Sequence, residues 1–142
     1  MKVVIDTNIL LVSISPTSKY RWIFDGFLSE NYTLCVTTDI LMEYEEILGN
    51  HMSPDFATTI LQIIENAPNV ELITRYFHWN LITADADDNK FVDCAVAANA
   101  KFLVTHDKHF KALSKVEFPK VTVIDAEKFK EELAAKSKIA NL

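Results

Sequence analysis

The sequence predicts an α/β three-layer sandwich with a central, mainly parallel sheet of four or five strands, on three observations. Short apolar runs bounded by polar residues alternate with helix-period segments along the whole chain. Those runs, such as VVI, YTLCV, FLVT and VTVI, are apolar at successive positions, the pattern of strands covered on both faces. The 142 residues are 49% hydrophobic and 24% charged with only 2 Gly, which suits one domain spanning 1–142 with a sizeable core.

The first strand covers residues 3–5 and stops at Asp6 and Thr7, and a loop through Ser13, Ser15, Pro16 and Thr17 follows. Trp22, Ile23, Phe27 and Leu28 recur near helical spacing and predict a helix over 19–29. A second strand follows over 32–36. Thr38 or Asp39 caps a helix whose apolar face is Ile40, Leu41, Tyr44, Ile47 and Leu48, closed by Gly49. Ser53 and Pro54 open another, with Phe56, Ile60, Ile63 and Ile64 inward. A third strand is expected over 70–73. Residues 75–83 show no clear period, and core packing is the reading for Tyr76, Phe77 and Trp79. Asp88 is placed to cap a helix over 89–100 carrying Phe91, Cys94, Ala95 and Ala98. The rest comprises a strand over 102–105, a short helix over 108–114, a last strand over 121–124, and a helix over 126–136 capped by Asp125. Residues 137–142 are expected to form a disordered tail.

Cys35 and Cys94 lie far apart in apolar runs and read as buried thiols. The apolar run after Lys2 breaks at Asp6, too soon for a signal-peptide core or a membrane span, so a cytoplasmic protein with no membrane partner is expected. A net charge of −6 opposes nucleic-acid binding by a general positive field. That objection weakens where acids gather around divalent ions, which reverse the local potential.

Open α/β sheets place functional groups outside the carboxyl ends of their parallel strands. Asp6 and Asp107 stand at such ends, Asp88 and Asp93 at the start of a helix, and Glu43 in the first turns of another, so all five can reach one rim. Each has a plainer reading: Asp6 and Asp107 as turn or helix starters, Asp88 as a cap, Glu43 as a solvated charge beside Glu45 and Glu46. Asp93 precedes the small, apolar stretch CAVAANA, so its carboxylate needs a partner or a metal. Gathered carboxylates raise one another's pKa and normally hold a hard cation, Mg2+ or Mn2+. The His residues show no zinc spacing, and no glycine-rich phosphate loop is present.

VVIDTNIL at 3–10, Glu43 in TTDILMEYEEIL, DADDNKFVDCAVAANAKFLVTHDKHF at 85–110 and the closing VTVIDAEKF resemble the PIN domain nucleases, a family used by many toxins of prokaryotic toxin–antitoxin modules. The resemblance spans nearly the whole chain in order. It implies a PIN-like fold and a magnesium- or manganese-dependent endoribonuclease. Asp6, Asp93 and Asp107 carry over as metal ligands, and Glu43 and Asp88 as further catalytic acids. Thr7, Asn8 and Thr105 would steady those ligands or touch phosphate. His106 stands where the family commonly has Gly, and it would fill space by the metals or add a phosphate contact. RNA, an antitoxin protein and a second copy of the chain are the implied partners.

Lys19 and Arg21, after the Asp6 loop, and Lys108, His109 and Lys111, after Asp107, are candidate RNA contacts. Ordinary solvated charge is the plainer reading of Lys19 and Arg21. Two alternatives stay open: a catalytically inactive PIN-like module that binds RNA or protein, and an acid-cluster phosphatase. The phosphatase of haloacid-dehalogenase type wants a second Asp two positions after the first, where this chain has Asn8.

Overall fold

The structure, a computed structural model, describes residues 1–141. Five parallel strands form one sheet in the order β3-β2-β1-β4-β5: β1 Lys2–Ile5, β2 Thr33–Val36, β3 Val70–Leu72, β4 Phe102–Val104 and β5 Val123–Ile124. β1 is central, with Val3 opposite Leu34 on one side and Ile5 opposite Val104 on the other. Its residues Val3, Val4 and Ile5 are buried, as a strand covered on both faces requires. The chain leaves β1 toward β2 and β3, then returns past β1 to reach β4 and β5. Right-handed crossovers running in opposite directions put their helices on opposite faces. α1 Thr7–Ile14, α2 Arg21–Leu28, α3 Thr38–His51 and α4 Pro54–Asn66 pack as a connected set, while α5 Asn89–Ala98 packs on β1, β2 and β4. α6 Ala126–Ala140 joins the α2 side, with Phe129 against Trp22 and Tyr32.

α1 stands where a loop is expected. NILLV is apolar all round, so it carries no helical period to read, yet Ile9, Leu10, Ser13 and Ile14 are buried and α1 packs on α2 and α3. Elsewhere the differences are local. α2 starts at Arg21, and β5 is only two residues long. α3 is capped by Thr37, whose hydroxyl accepts from the Ile40 amide, and passes through Gly49. On α4 the buried positions are Ala57, Ile60, Leu61 and Ile64, so Phe56 and Ile63 point outward, one position off the expected face. α5 ends at Ala98 because Asn99 turns left-handed at φ 52° and lets Ala100 bond back to Ala95. The 108–114 segment is a 3-10 helix, Lys108–Lys115. α6 continues to Ala140, past the expected end at 136, and Leu142 of the expected tail lies outside the described residues. Cys35 and Cys94 are buried free thiols. Among the described residues no helix is long and apolar enough to cross a membrane.

Ser53 caps α4 by accepting from the Phe56 amide at 3.1 Å, with Pro54 behind it. Ser53→Ala is expected to cost about 1 kcal/mol, read from urea unfolding, and to leave any activity unchanged because the Ser53 side chain bonds to the Phe56 amide and to no carboxylate.

Candidate active site

The strand order reverses direction between β1 and β4, and a crevice opens outside their carboxyl ends. Asp6 ends β1 there. Its amide continues the ladder by donating to Val104 O at 3.0 Å, and the buried Tyr44 hydroxyl donates to Ile5 O just before it. The Thr105 hydroxyl, one residue beyond β4, donates to Asp6 Oδ2 at 2.7 Å and accepts from the Asp107 amide at 3.0 Å. One threonine therefore couples the acids at the ends of two strands. Asp107 Oδ1 accepts from the His109 amide at 2.9 Å, and His109 Nδ1 lies 3.1 Å from Asp88 Oδ2 and 3.5 Å from Asp107 Oδ1. Ligand-type atoms of Asp85, Asp88 and His109 all fall within 4.8 Å of one another.

Asp6 is only 6% exposed. Burial pushes its pKa from 3.8 up to about 6, the Asp88 and Asp107 charges add to the rise, and the Thr105 hydroxyl and Thr7 amide oppose it. Burial likewise raises Asp88, with Asp107 and Asp85 reinforcing it against the His109 contact. Carboxylates held this way lack positive charge, and oxygen donors with one imidazole alongside are a set that Mg2+ or Mn2+ fits. The folded, metal-free chain binds a proton at Asp6 more readily than the unfolded one between pH 3.8 and about 6. This group's contribution to stability therefore falls as pH rises through that interval and stays low above it. Urea unfolding in chelator is expected to show the loss between about pH 4 and about pH 6.5, and Mn2+ is expected to offset it at the higher pH.

Glu43, on α3, accepts from the Thr7 hydroxyl and from Lys90 Nζ at 2.8 Å, which ties α1, α3 and α5 together beside the crevice. Asn8 is exposed on the first turn of α1. Asp88 does not cap α5 with its side chain. It faces His109, and Asp85 caps the turn before it. His106 turns toward α6, where its Nε2 accepts from the Ala126 amide at 3.2 Å and its ring meets Tyr20. Arg21 is engaged by Asp25 at 2.9 Å and by Ile14 O, whereas Lys19 lies over Tyr20 and Lys108 is exposed beside Asp107.

Asp93 has a different neighbourhood. Its side chain is 1% exposed, and both oxygens are taken by protein donors: Oδ2 by Arg75 at 3.0 Å and Oδ1 by the Trp79 amide at 3.1 Å. Arg75 also pairs with Asp39 at 3.0 Å. One turn earlier, the buried Asn89 accepts from the Ile82 amide and donates to Ile82 O, both at 2.9 Å. These two side chains fasten the extended segment 73–85 against α5 as a strap. The hollow beside it is lined by Asp39, Arg75, Asp87 and Asp93, and not by Asp6, Asp88 or Asp107. Both Asp93 oxygens are thus engaged by the strap, and the partner its burial demands is Arg75. Tyr76 and Phe77 are 83% and 70% exposed on the strap, so the expected core packing fails for both. Trp79, half-buried, rests between Phe77 and Phe118.

Residues 2–109 match the family model for the PIN domain. The chain belongs to the PIN domain family. In fold, this PIN domain is similar to VapBC2 from Rickettsia felis bound to a DNA fragment from their promoter, with TM-score 0.59 and 19% identity, covering 88% of this chain and 98% of that one. It is similar also to DNA-bound VapBC from Salmonella typhimurium, with TM-score 0.56 and 14% identity, covering 89% and 98%. No curated protein sequence matches it.

Sequence reasoning missed two members of the PIN domain's rim. Asp85 is legible as the first acid of DADD, and His109 entered only as an RNA contact rather than as the link between Asp88 and Asp107. The Lys90 pairing to Glu43 joins residues 47 positions apart, and nothing local signals it.

Proposed function

We propose that this PIN domain is a Mg2+- or Mn2+-dependent endoribonuclease, acting as the toxin of a toxin–antitoxin module. The observation that carries the proposal is Asp6 at the switch point, coupled through Thr105 to Asp107 and raised in pKa by its burial, to which the Asp88 and Asp107 charges add. In this reading Asp6, Asp88 and Asp107 hold the cation, with Asp85 and His109 at its margin. A divalent ion held there would lower the pKa of a water and neutralise charge on the phosphoryl group. Glu43 orients the attacking water through a hydrogen bond, steadied by Thr7 and Lys90. Thr105 fixes the Asp6 carboxylate and the Asp107 backbone by its two hydrogen bonds, and the exposed Asn8 and Lys108 meet phosphate. Asp93 is assigned to the strap rather than to the cation. Family membership and the fold likeness to the two VapBC structures support the toxin role and an antitoxin partner.

The deciding experiment incubates the purified protein with defined single-stranded and structured RNAs, with Mg2+, Mn2+ or chelator, and maps the product ends. Cleavage that needs the metal and leaves 5′-phosphate and 3′-hydroxyl ends is expected. Inertness with both metals, or cyclic phosphate ends in chelator, would overturn the reading.

A further inference from the structure

The hollows that border the rim differ in the sign of their charge. The one between α3 and α4, about 870 Å3, presents Asp39, Glu43, Glu45, Glu46 and Asp87 against Lys90 alone. The one beside the strap, about 290 Å3, sets Asp39, Asp87 and Asp93 against Arg75 and Lys90, and both cations are already in ion pairs. The third, about 450 Å3, opens at Thr105 and Asp107 and carries Lys108 and Lys111. Through Lys111 and Val123, which line both, it runs on into a fourth of about 410 Å3, where Lys111 and Lys120 are the charged groups. Asp125, at the edge of the third, is occupied in capping α6 through the Lys128 amide. Among the described residues Lys108, Lys111 and Lys120 make no ion pair, so their charges are free.

A single-stranded RNA carries a negative charge at every residue, and a strand with one phosphate at the acid rim must place the next ones somewhere. Toward α3 and toward the strap it meets fixed acid. Along the 3-10 helix and β5 it meets unpaired lysines. Resting on the nuclease reading, we infer that the strand flanking the cleaved bond runs along this side, with Lys111 at the junction of the two hollows and Lys120 at the far end as phosphate contacts. The track explains how a chain of net charge −6 holds a polyanion: the favourable field is confined to one flank. It also carries the contact surface beyond Lys108, His109 and Lys111, to Lys120.

The test compares Lys111→Glu with Lys120→Glu as a double variant against Lys130→Glu with Lys138→Glu on α6, an equal change in net charge. Fluorescence anisotropy, in a Glu43→Gln background that keeps the cation's ligands, with Mg2+, reads binding of a labelled RNA of about twelve nucleotides, a trinucleotide and a polyglutamate peptide. The track double variant is expected to bind the longer RNA about tenfold more weakly, and to lower the slope of log K against log salt by about 1.4, that is about 0.7 for each phosphate contact. The trinucleotide is expected to bind as before. Equal losses in the two double variants would show a net-charge effect only and overturn the inference. Tight polyglutamate binding with the same loss would give the surface to an acidic protein instead, and would overturn it too. All four lysines are exposed, so unchanged thermal melts are expected. Wild-type protein that binds RNA through the track and cleaves none would leave the track standing and remove the nuclease reading. Cleavage with an indifferent track would do the reverse.

Discussion

Asp6→Asn is expected to abolish metal-dependent RNA cleavage, by a factor of at least about a hundred, while stabilising the metal-free protein. The two effects have one cause. Asn retains an oxygen that accepts from the Thr105 hydroxyl, so the geometry of the rim survives. It does not carry the charge that binds a cation, and a lost ligand typically removes more affinity than the tenfold to hundredfold lost with a residue that only orients one. The same charge is unfavourable when no metal is present, since burial and the neighbouring acids hold Asp6 at a pKa of about 6. Above that pH its removal is worth up to about 3 kcal/mol, at 1.36 kcal/mol for each pKa unit. Unfolding in chelator near neutral pH checks the gain, and end-mapped cleavage checks the loss. A variant that is both inactive and less stable would show Asp6 serving the fold rather than a metal.

Arg75→Ala is expected to be the most destabilising single surface-reachable change, about 3–5 kcal/mol, because it leaves Asp93 charged, buried and without its cation. Asp93→Asn is expected to cost less. Its oxygen still accepts from the Trp79 amide, and Arg75 keeps Asp39. Amide exchange should quicken at Trp79 and Ile82 in the Arg75 variant before it quickens in β1. Metal titration separates this role from the one the family resemblance gives Asp93. A strap anchor changed to Asn leaves Mn2+ affinity near wild type. If Asp93 were a ligand, Asp93→Asn would lose most of that affinity, and Arg75→Ala, by freeing the carboxylate, would raise it.

The strands and the rim acids could be read from sequence because each depends on neighbours in the chain. VVI and FLVT announce buried strands, and Asp6 and Asp107 stand where those runs stop. The reversal of strand direction that brings them together follows from crossover handedness. What stayed hidden depends on distance or on uniformity. α1 is too evenly apolar to show a period, and α4 has enough apolar residues to support two faces one step apart, of which packing on α3 chose one. Asp93 announced that it needed a partner, but its partner sits 18 residues earlier in a segment with no secondary structure. His106 faces α6, an orientation set by Tyr20 and Ala126 rather than by the motif around it.

The strap over α5 is held by Asp93 and Asn89, by the buried Ile82 and, at its start, by the Ile73 amide donating to Val36 O. Between Trp79 and Arg75 the backbone is free of such obligations, and there Tyr76 and Phe77 stand in solvent. Relatives could lengthen, shorten or rewrite that stretch without shifting a strand register. It offers evolution a place to change what the domain recognises at little cost to the scaffold, and offers the engineer a site for grafting a peptide.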